Sequence, residues 1–208
     1  MSPQAMAARL LSLASLLLGL SQAGIAGLQH GGDAPAICLL SPAASREQDG
    51  VVRAISPLPD PTIFARGGFA EIRLERNGRL LWRRRAGSEA PLQGPLAWPL
   101  PPLRPGERLL LRLRPIEVGN GDFATVELVG AQAATMARSV RLRRSLSRQP
   151  RAWLRTVLHE LERGNRDLAL ALLYDFHGPA APELNALRRE IHDRACDSLL
   201  FPPSPSPP

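Results

Sequence analysis

Residues 71–83 read EIRLERNGRLLWR, and their pattern indicates how the first half of the chain folds. Apolar and charged residues alternate at its start, which places Ile72 and Leu74 on one face of a β-strand. Asn77-Gly78 follows, the dipeptide best suited to the positive φ angles of a two-residue hairpin turn. The apolar residues after the turn return as the partner strand. The stretch therefore predicts an antiparallel β-hairpin with one apolar face.

Similar short apolar runs, separated by proline and glycine, surround this hairpin. They occupy residues 37–40, 51–55, 96–98, 108–114 and 123–129. About seven short strands with this punctuation are typical of a sandwich of two antiparallel sheets. Residues 35–130 are therefore predicted to form an antiparallel immunoglobulin-like β-sandwich, with Trp82 and Trp98 in its core.

One stretch of this region resembles a known corner. Residues 100–107 read LPPLRPGE, which resembles the segment before a central strand in fibronectin type III and related immunoglobulin-like domains. Leu109 and Leu111 stand where those domains usually carry an aromatic residue. The resemblance implies the same sandwich architecture.

The hydrophobic period changes to that of helices after Gly130. One helix is predicted over residues 152–163, a second over residues 168–177, and a third begins at Pro182, which suits the first turn of a helix. Residues 151–200 are thus predicted to be a small three-helix region, and residues 131–150 a basic linker or helix. The predicted fold class is α+β, with the strands and the helices segregated along the chain.

Two further resemblances concern the helical half and the whole chain. Residues 162–170 read ERGNRDLAL and resemble the turn of a single tetratricopeptide-type helix pair. The chain also resembles a secreted domain-of-unknown-function family of photosynthetic bacteria, whose strand and helix elements correspond to residues 100–106 and 164–170. That resemblance implies an architecture and no known reaction.

Both ends of the chain are unlike a folded domain. Arg9 precedes the apolar run LLSLASLLLGL at residues 10–20, and small residues allow cleavage after Ala23 or Ala26, so residues 1–26 are predicted to be a signal peptide. No later apolar run approaches about 18 residues, so no transmembrane segment is expected in the mature chain. Residues 201–208 are predicted to be a disordered, proline-rich tail. The expected location is periplasmic or secreted.

The two cysteines, Cys38 and Cys196, lie near the two ends of the predicted mature chain. An oxidising compartment would allow them to form a disulfide that closes almost the whole chain. Two independent free thiols are the alternative.

The formal net charge is +7, and every basic side chain is an arginine because the sequence contains no lysine. Residues 131–159 contain seven of these arginines and no acidic residue. A run of this kind is either a solvated face or a surface for an anionic partner. The predicted binding residues within it are Arg141, Arg143, Arg144, Arg148 and Arg151. Nucleic acid is not an expected partner, because an exported protein rarely meets any.

No sequence motif for catalysis or for a complete metal site is present. His159-Glu160 begins like a zinc-protease helix but lacks the second histidine four residues later. His192 and Cys196 are spaced for one helix face and supply half a metal site at best. The absence of lysine excludes a Walker-type phosphate loop and a Schiff base. No catalytic residue, metal or cofactor is therefore predicted.

The three consecutive arginines Arg83, Arg84 and Arg85 either protect a sheet edge from aggregation or bind a carboxylate. Taken together, the residues predict an exported, non-catalytic binding module with a periplasmic protein as partner. The alternative is an envelope-associated protein whose arginine-rich segment binds anionic lipid or polysaccharide.

Overall fold

A computed structural model describes residues 38–47, 49–87, 90–116, 123–146, 148–178 and 181–200, with side chains up to residue 194. The predicted signal peptide, the predicted tail and the side chain of Cys196 lie outside the described residues. The strands are β1 (Leu39–Ser41), β2 (Ala44–Arg46), β3 (Val52–Ser56), β4 (Phe64–Ala65), β5 (Phe69–Arg76), β6 (Arg79–Arg85), β7 (Arg108–Pro115) and β8 (Ala124–Gly130). The helices are α1 (Ala133–Ser145), α2 (Pro150–Glu162), α3 (Arg166–Asp175) and α4 (Pro182–Leu200).

The strands form two sheets, and the α+β class with strands before helices is confirmed. The larger sheet has six strands in the order β2-β3-β8-β7-β5-β6, and β1 pairs with β4 in a separate two-stranded sheet. All neighbours are antiparallel except β3 and β8. This parallel pair differs from the all-antiparallel prediction; the connection it requires is supplied by the intervening segment that contains β4 to β7.

The hairpin at the centre of the sequence prediction is β5–β6. Asn77 and Gly78 both have positive φ angles, of 50° and 76°, as a tight turn of this type requires. Ile72 and Leu74 are fully buried on one face of β5, as predicted. They pack with apolar side chains of β3, β7 and β8 in a first core, which residues from β1, β4 and the 90–103 segment cover.

The opposite face of the large sheet is charged because the strands alternate with period two. Glu71 of β5 lies on this face and is 2% exposed, under the guanidinium groups of Arg73, Arg83, Arg85 and Arg114. Burial by itself raises the pKa of the Glu71 carboxyl. The hydrogen bond from Arg73 and the charges of the arginines outweigh it and hold that pKa below its ordinary value. Glu71 is therefore ionised, and the four arginines share its carboxylate.

Four helices occupy the described part of the second half. Helices α2, α3 and α4 fall within the region for which three helices were predicted, give or take one residue. Residues 131–150, predicted to be either a basic linker or a helix, contain α1. The described residues therefore contain four helices rather than three. The helices bury a second core; every residue of α3 from Leu168 to Tyr174 is buried, and all of them except Ala171 belong to this core. No helix among the described residues is long and apolar enough to cross a bilayer.

Strand β1 lies between the two cores. Leu39 packs into the sheet core, whereas Cys38 and Leu40 pack into the helical core. On the neighbouring strand, the Phe64 ring stacks on the Tyr174 ring of α3 with centroids 4.4 Å apart. Cys38 is buried and disulfide-bonded. Its pairing with Cys196, the other cysteine of the sequence, stays a prediction because the Cys196 side chain is not described.

We expect Glu71→Gln to destabilise the protein by about 2 kcal/mol at pH 7. A fully buried ion pair would cost more on losing one partner, but these arginines are partly exposed and solvent screens them. Since the folded-state pKa of Glu71 is lowered, its stabilisation is complete above the ordinary value of 4.5 and is lost as the pH falls through the folded-state pKa.

Urea unfolding at pH 7 and at pH 3 measures this difference. The gap between wild type and Glu71→Gln should shrink at the lower pH. Glu75→Gln is the matched control, because Glu75 lies on the same strand and face with one arginine, Arg112, at 3.4 Å. A gap that is independent of pH, or equal for both variants, would contradict the shared ion pair.

Candidate functional site

A groove lies between α1 and two loops, the one that connects β3 to β4 and the one that precedes β7. Its volume is about 410 Å³, and it is open to solvent along its length. The loops contribute Pro59, Leu103 and Pro105 to the lining. Helix α1 contributes the small and apolar residues Ala133, Met136, Ala137 and Val140. The exposed arginines Arg141 and Arg144 complete the lining.

The groove wall on α1 follows from helical spacing. Positions 133, 136, 137 and 140 recur every three or four residues and so share one stripe of the helix. Arg141 and Arg144 extend that stripe toward the end of α1. In the described part of the chain neither arginine has a carboxylate within ion-pair distance. Both guanidinium groups are therefore available to a ligand.

Arg143 has a different role. It lies two residues after Arg141, so its side chain is rotated by about 200° around the helix axis and faces away from the groove. Its Nη2 lies 2.8 Å from the Oδ1 of Asp60, and its Nη1 lies 3.6 Å from the Oδ2 of Asp175. Burial raises the pKa of the Asp175 carboxyl, and Arg143 acts in the opposite direction. Arg143 is thus a positioning residue that holds α1 against the loop containing Pro59 and against the end of α3.

The loop wall is held by backbone hydrogen bonds. The Leu103 amide donates to the Pro59 carbonyl at 2.7 Å, and Leu103 itself is 3% exposed. Gly106 donates to Gly130, and Gly130 donates to Glu107, both at 2.9 Å. A Cβ atom at Gly130 would lie 2.1 Å from the Arg104 carbonyl oxygen. Only glycine at position 130 allows this loop to approach the end of β8 so closely.

The other predicted binding residues lie beyond the groove. Arg148 and Arg151 are exposed at the connection between α1 and α2, where Arg151 occupies the first turn of α2. Of the five predicted arginines, the structure brings Arg141 and Arg144 together on the groove, and it assigns Arg143 to an internal ion pair. The predicted basic segment is therefore divided by the helix into two faces.

Glu160 and His192, which belong to the two incomplete metal-site patterns of the sequence, have other partners in the structure. Glu160 is 3% exposed and accepts hydrogen bonds from Arg138 at 3.0 Å and from the Asn165 amide nitrogen at 2.6 Å. It therefore joins α1, α2 and the turn between α2 and α3. His192 contacts Asp193 at 3.2 Å near the surface of α4. Within the described residues, no group of three or more histidine, cysteine, aspartate or glutamate side chains is placed to hold a metal ion.

The lining of the groove suits binding. Arginine is the only ionisable residue type among the described residues that line it. Apolar walls bury the apolar side chains of a ligand, and guanidinium groups form charge-assisted hydrogen bonds with its carboxylates. The arrangement therefore matches an extended segment that carries both apolar and acidic side chains.

Sequence reasoning did not identify the apolar part of this site. The α1 stripe is visible in the sequence as Ala133, Met136, Ala137 and Val140, but only once the segment is known to be a helix. The segment PPLRPG at residues 101–106 was recognised as a corner, and its Leu103 and Pro105 also form the opposite wall. Nothing local in the sequence indicates that these two segments meet.

Arg143→Ala should destabilise the protein by about 1 kcal/mol, because it leaves the half-buried Asp175 carboxylate without its cation. Arg144→Ala, the neighbouring position, removes the same charge from the groove side and should stay within about 0.5 kcal/mol of wild type. Chemical denaturation of the variants measures the difference. Equal stabilities for both variants would show that Arg143 does not hold α1 in place.

Gly130→Ala should cost about 2 kcal/mol, because the new methyl group would overlap the Arg104 carbonyl and force the loop wall outward. Gly87→Ala is the control, since a Cβ atom there meets nothing within 4 Å, and its effect should stay within about 0.5 kcal/mol. Thermal unfolding of both variants provides the comparison. A Gly130 variant as stable as the control would rule out the close approach.

Comparison with known proteins gave no relatives for this chain: no protein-family model, no curated protein and no solved structure matches it. The resemblances carried by residues 100–106 and 164–170 therefore stay predictions.

Proposed function

We propose that the protein is an exported, non-catalytic binding module that holds an acidic, partly apolar segment of a periplasmic protein in the groove beside α1. The observation that carries the proposal is the combination of apolar walls with Arg141 and Arg144, two exposed cations without an acidic partner among the described residues. The signal-peptide pattern of residues 1–26 supports the location.

The dimensions of the groove favour a short peptide segment as its ligand. A volume of about 410 Å³ accommodates a few side chains rather than a folded domain. Ala137 and Val140 offer apolar surface to such a segment, whereas Met136 is 5% exposed and lies beneath them. Acidic residues on the segment would pair with Arg141 and Arg144, as guanidinium groups form two-pronged hydrogen bonds with carboxylates.

We also infer that the strand region is a reduced immunoglobulin-like sandwich. Its second layer consists of β1, β4 and the 90–103 segment, which is joined to the strands by bridges between Ile63 and Leu96 and between Phe69 and Leu92. Leu92 and Leu103 are buried against the apolar face of the large sheet, as residues of a facing layer are. Domains of this kind commonly present surfaces for protein partners, which is an argument by analogy of fold.

A second candidate function is attachment of the same basic region to an anionic lipid or polysaccharide. It is favoured by Arg148 and Arg151, which continue the positive charge beyond the groove and are exposed. A diffuse electrostatic attachment weakens steeply with ionic strength, whereas a segment packed in an apolar groove is held less by charge. The two functions therefore differ in their salt dependence and in the arginines they require.

Photo-crosslinking in the periplasm tests the groove directly. A photoreactive residue at Ala137, which lines the groove, should capture a defined protein. The same residue at Ala134, which is exposed on α1 but is not part of the lining, should not. Capture that is equal at both positions would contradict the proposed site.

Paired arginine variants separate the two functions. Arg141→Gln with Arg144→Gln should reduce capture at Ala137 about tenfold or more, because two charge-assisted hydrogen bonds are lost. Arg148→Gln with Arg151→Gln removes the same charge outside the groove and should leave capture nearly unchanged. Equal losses for both pairs, together with loss of attachment at high salt, would favour the anionic lipid or polysaccharide.

A further inference from the structure

The charged face of the large sheet contains a cluster of arginines centred on Glu71. Arg73 lies on the same strand, Arg83 and Arg85 on β6, and Arg114 on β7. The Nε atoms of Arg73 and Arg83 lie 2.7 and 4.0 Å from Glu71 Oε1. Arg114 Nη2 and Arg85 Nε lie 3.1 and 3.3 Å from Oε2. We call these five residues the Glu71 cluster.

The cluster has a large excess of positive charge. Glu71 is the only acidic partner of these four arginines in the described part of the chain, so three of the four positive charges are not balanced. Elsewhere on the same face the balance is closer. Glu127 serves two arginines, Arg53 and Arg108, and Glu75 serves Arg112 alone. The unbalanced charge is therefore concentrated at one place.

The guanidinium groups of the cluster are accessible and are held in position. The side chains of Arg83 and Arg85 are 43% and 59% exposed, and those of Arg73 and Arg114 are 28% and 27% exposed. The Phe123 ring supports two of them, with the Arg73 guanidinium carbon 4.3 Å and the Arg114 carbon 5.9 Å from its centroid. Because Glu71 occupies only one side of each group, further N–H donors remain for a second anion.

We propose that the Glu71 cluster binds a phosphate monoester. A guanidinium group matches two oxygens of a tetrahedral oxyanion, and several such groups around one position are the usual chemistry of phosphate recognition. The excess of three positive charges among the described residues favours a dianion, which a phosphate monoester is near neutral pH, over a singly charged carboxylate or sulfate ester. Glu71 acts as the buried template that draws the four side chains together.

The site is independent of the groove beside α1. The Glu71 cluster lies on β5, β6 and β7, on the face of the sheet opposite to the apolar core, whereas the groove is built from α1 and two loops. A phosphate monoester on a soluble molecule and one on a lipid headgroup present the same chemistry to the cluster.

Isothermal titration calorimetry of the mature protein with phenyl phosphate tests the proposal, with phenyl sulfate as the singly charged comparison. Arg83→Gln and Arg85→Gln should each weaken phenyl phosphate binding about tenfold. Arg84→Gln is the matched control: Arg84 is exposed on the same strand and carries the same charge, but it is paired with Ile72 on the opposite face. Its effect should stay below about twofold, since only long-range charge is lost.

Three results would overturn the proposal: no saturable binding of phenyl phosphate, equal affinity for phenyl sulfate, or equal losses for Arg83→Gln and Arg84→Gln. The groove variant Arg141→Gln with Arg144→Gln should bind phenyl phosphate normally, so failure of one proposal does not affect the other. Vesicles containing phosphatidic acid then identify the source. If the vesicles compete with phenyl phosphate for the Glu71 cluster, the phosphate belongs to a lipid headgroup. If they do not compete, while phenyl phosphate itself binds, the ligand is a soluble phosphate monoester.

Discussion

The three residues of strand β1 and their neighbour Cys38 connect the two halves of the molecule, because both hydrophobic cores pack against them. Strand residues alternate between two faces, so Leu39 enters the sheet core while Cys38 and Leu40 enter the helical core. A short strand that is apolar on both faces is stable only when both faces are covered. The helices supply one cover and the large sheet the other, and neither core is complete without β1.

This arrangement explains why the charged surfaces are where they are. The layer that contains β1 and β4 covers the apolar face of the large sheet, so the opposite face has no cover among the described residues and is free to carry arginines. Helix α1 lies at the boundary between strands and helices, where Arg143 and Arg138 fasten it through Asp60 and Glu160. The stripe on its other side forms the groove.

Local patterns predicted the elements better than their assembly. The alternation around Ile72 and the Asn77-Gly78 turn specify the β5–β6 hairpin, because both signals act between neighbouring residues. The β3–β8 pairing joins residues more than seventy positions apart, as in the bond between Arg53 and Glu127. Nothing in either strand alone specifies that partner. The double role of β1 was hidden for the same reason, since each core is assembled from distant segments.

The basic segment shows how the same limit applies to the site. From the sequence, Arg141, Arg143 and Arg144 are equivalent members of one charged run. The helix separates them, because each step along it rotates the side chain by about 100°. Arg143 meets two carboxylates and becomes structural, whereas Arg141 and Arg144 meet apolar groove residues and solvent. A candidate ligand contact could therefore be assigned only after the segment was known to be helical and its acidic neighbours were known.

Among the described residues, structural and binding arginines differ in whether the carboxylate partner is shared. An arginine whose carboxylate partner is its own, as Glu160 is for Arg138, contributes to the fold and has little left for a ligand. The arginines around Glu71 share one carboxylate, so each retains unsatisfied donors and the group retains net charge. Guanidinium groups tolerate such crowding because they are weakly hydrated and stack on a ring such as Phe123. Lysine ammonium groups are more strongly hydrated, so placing four of them around one carboxylate would cost more desolvation free energy than placing four arginines there.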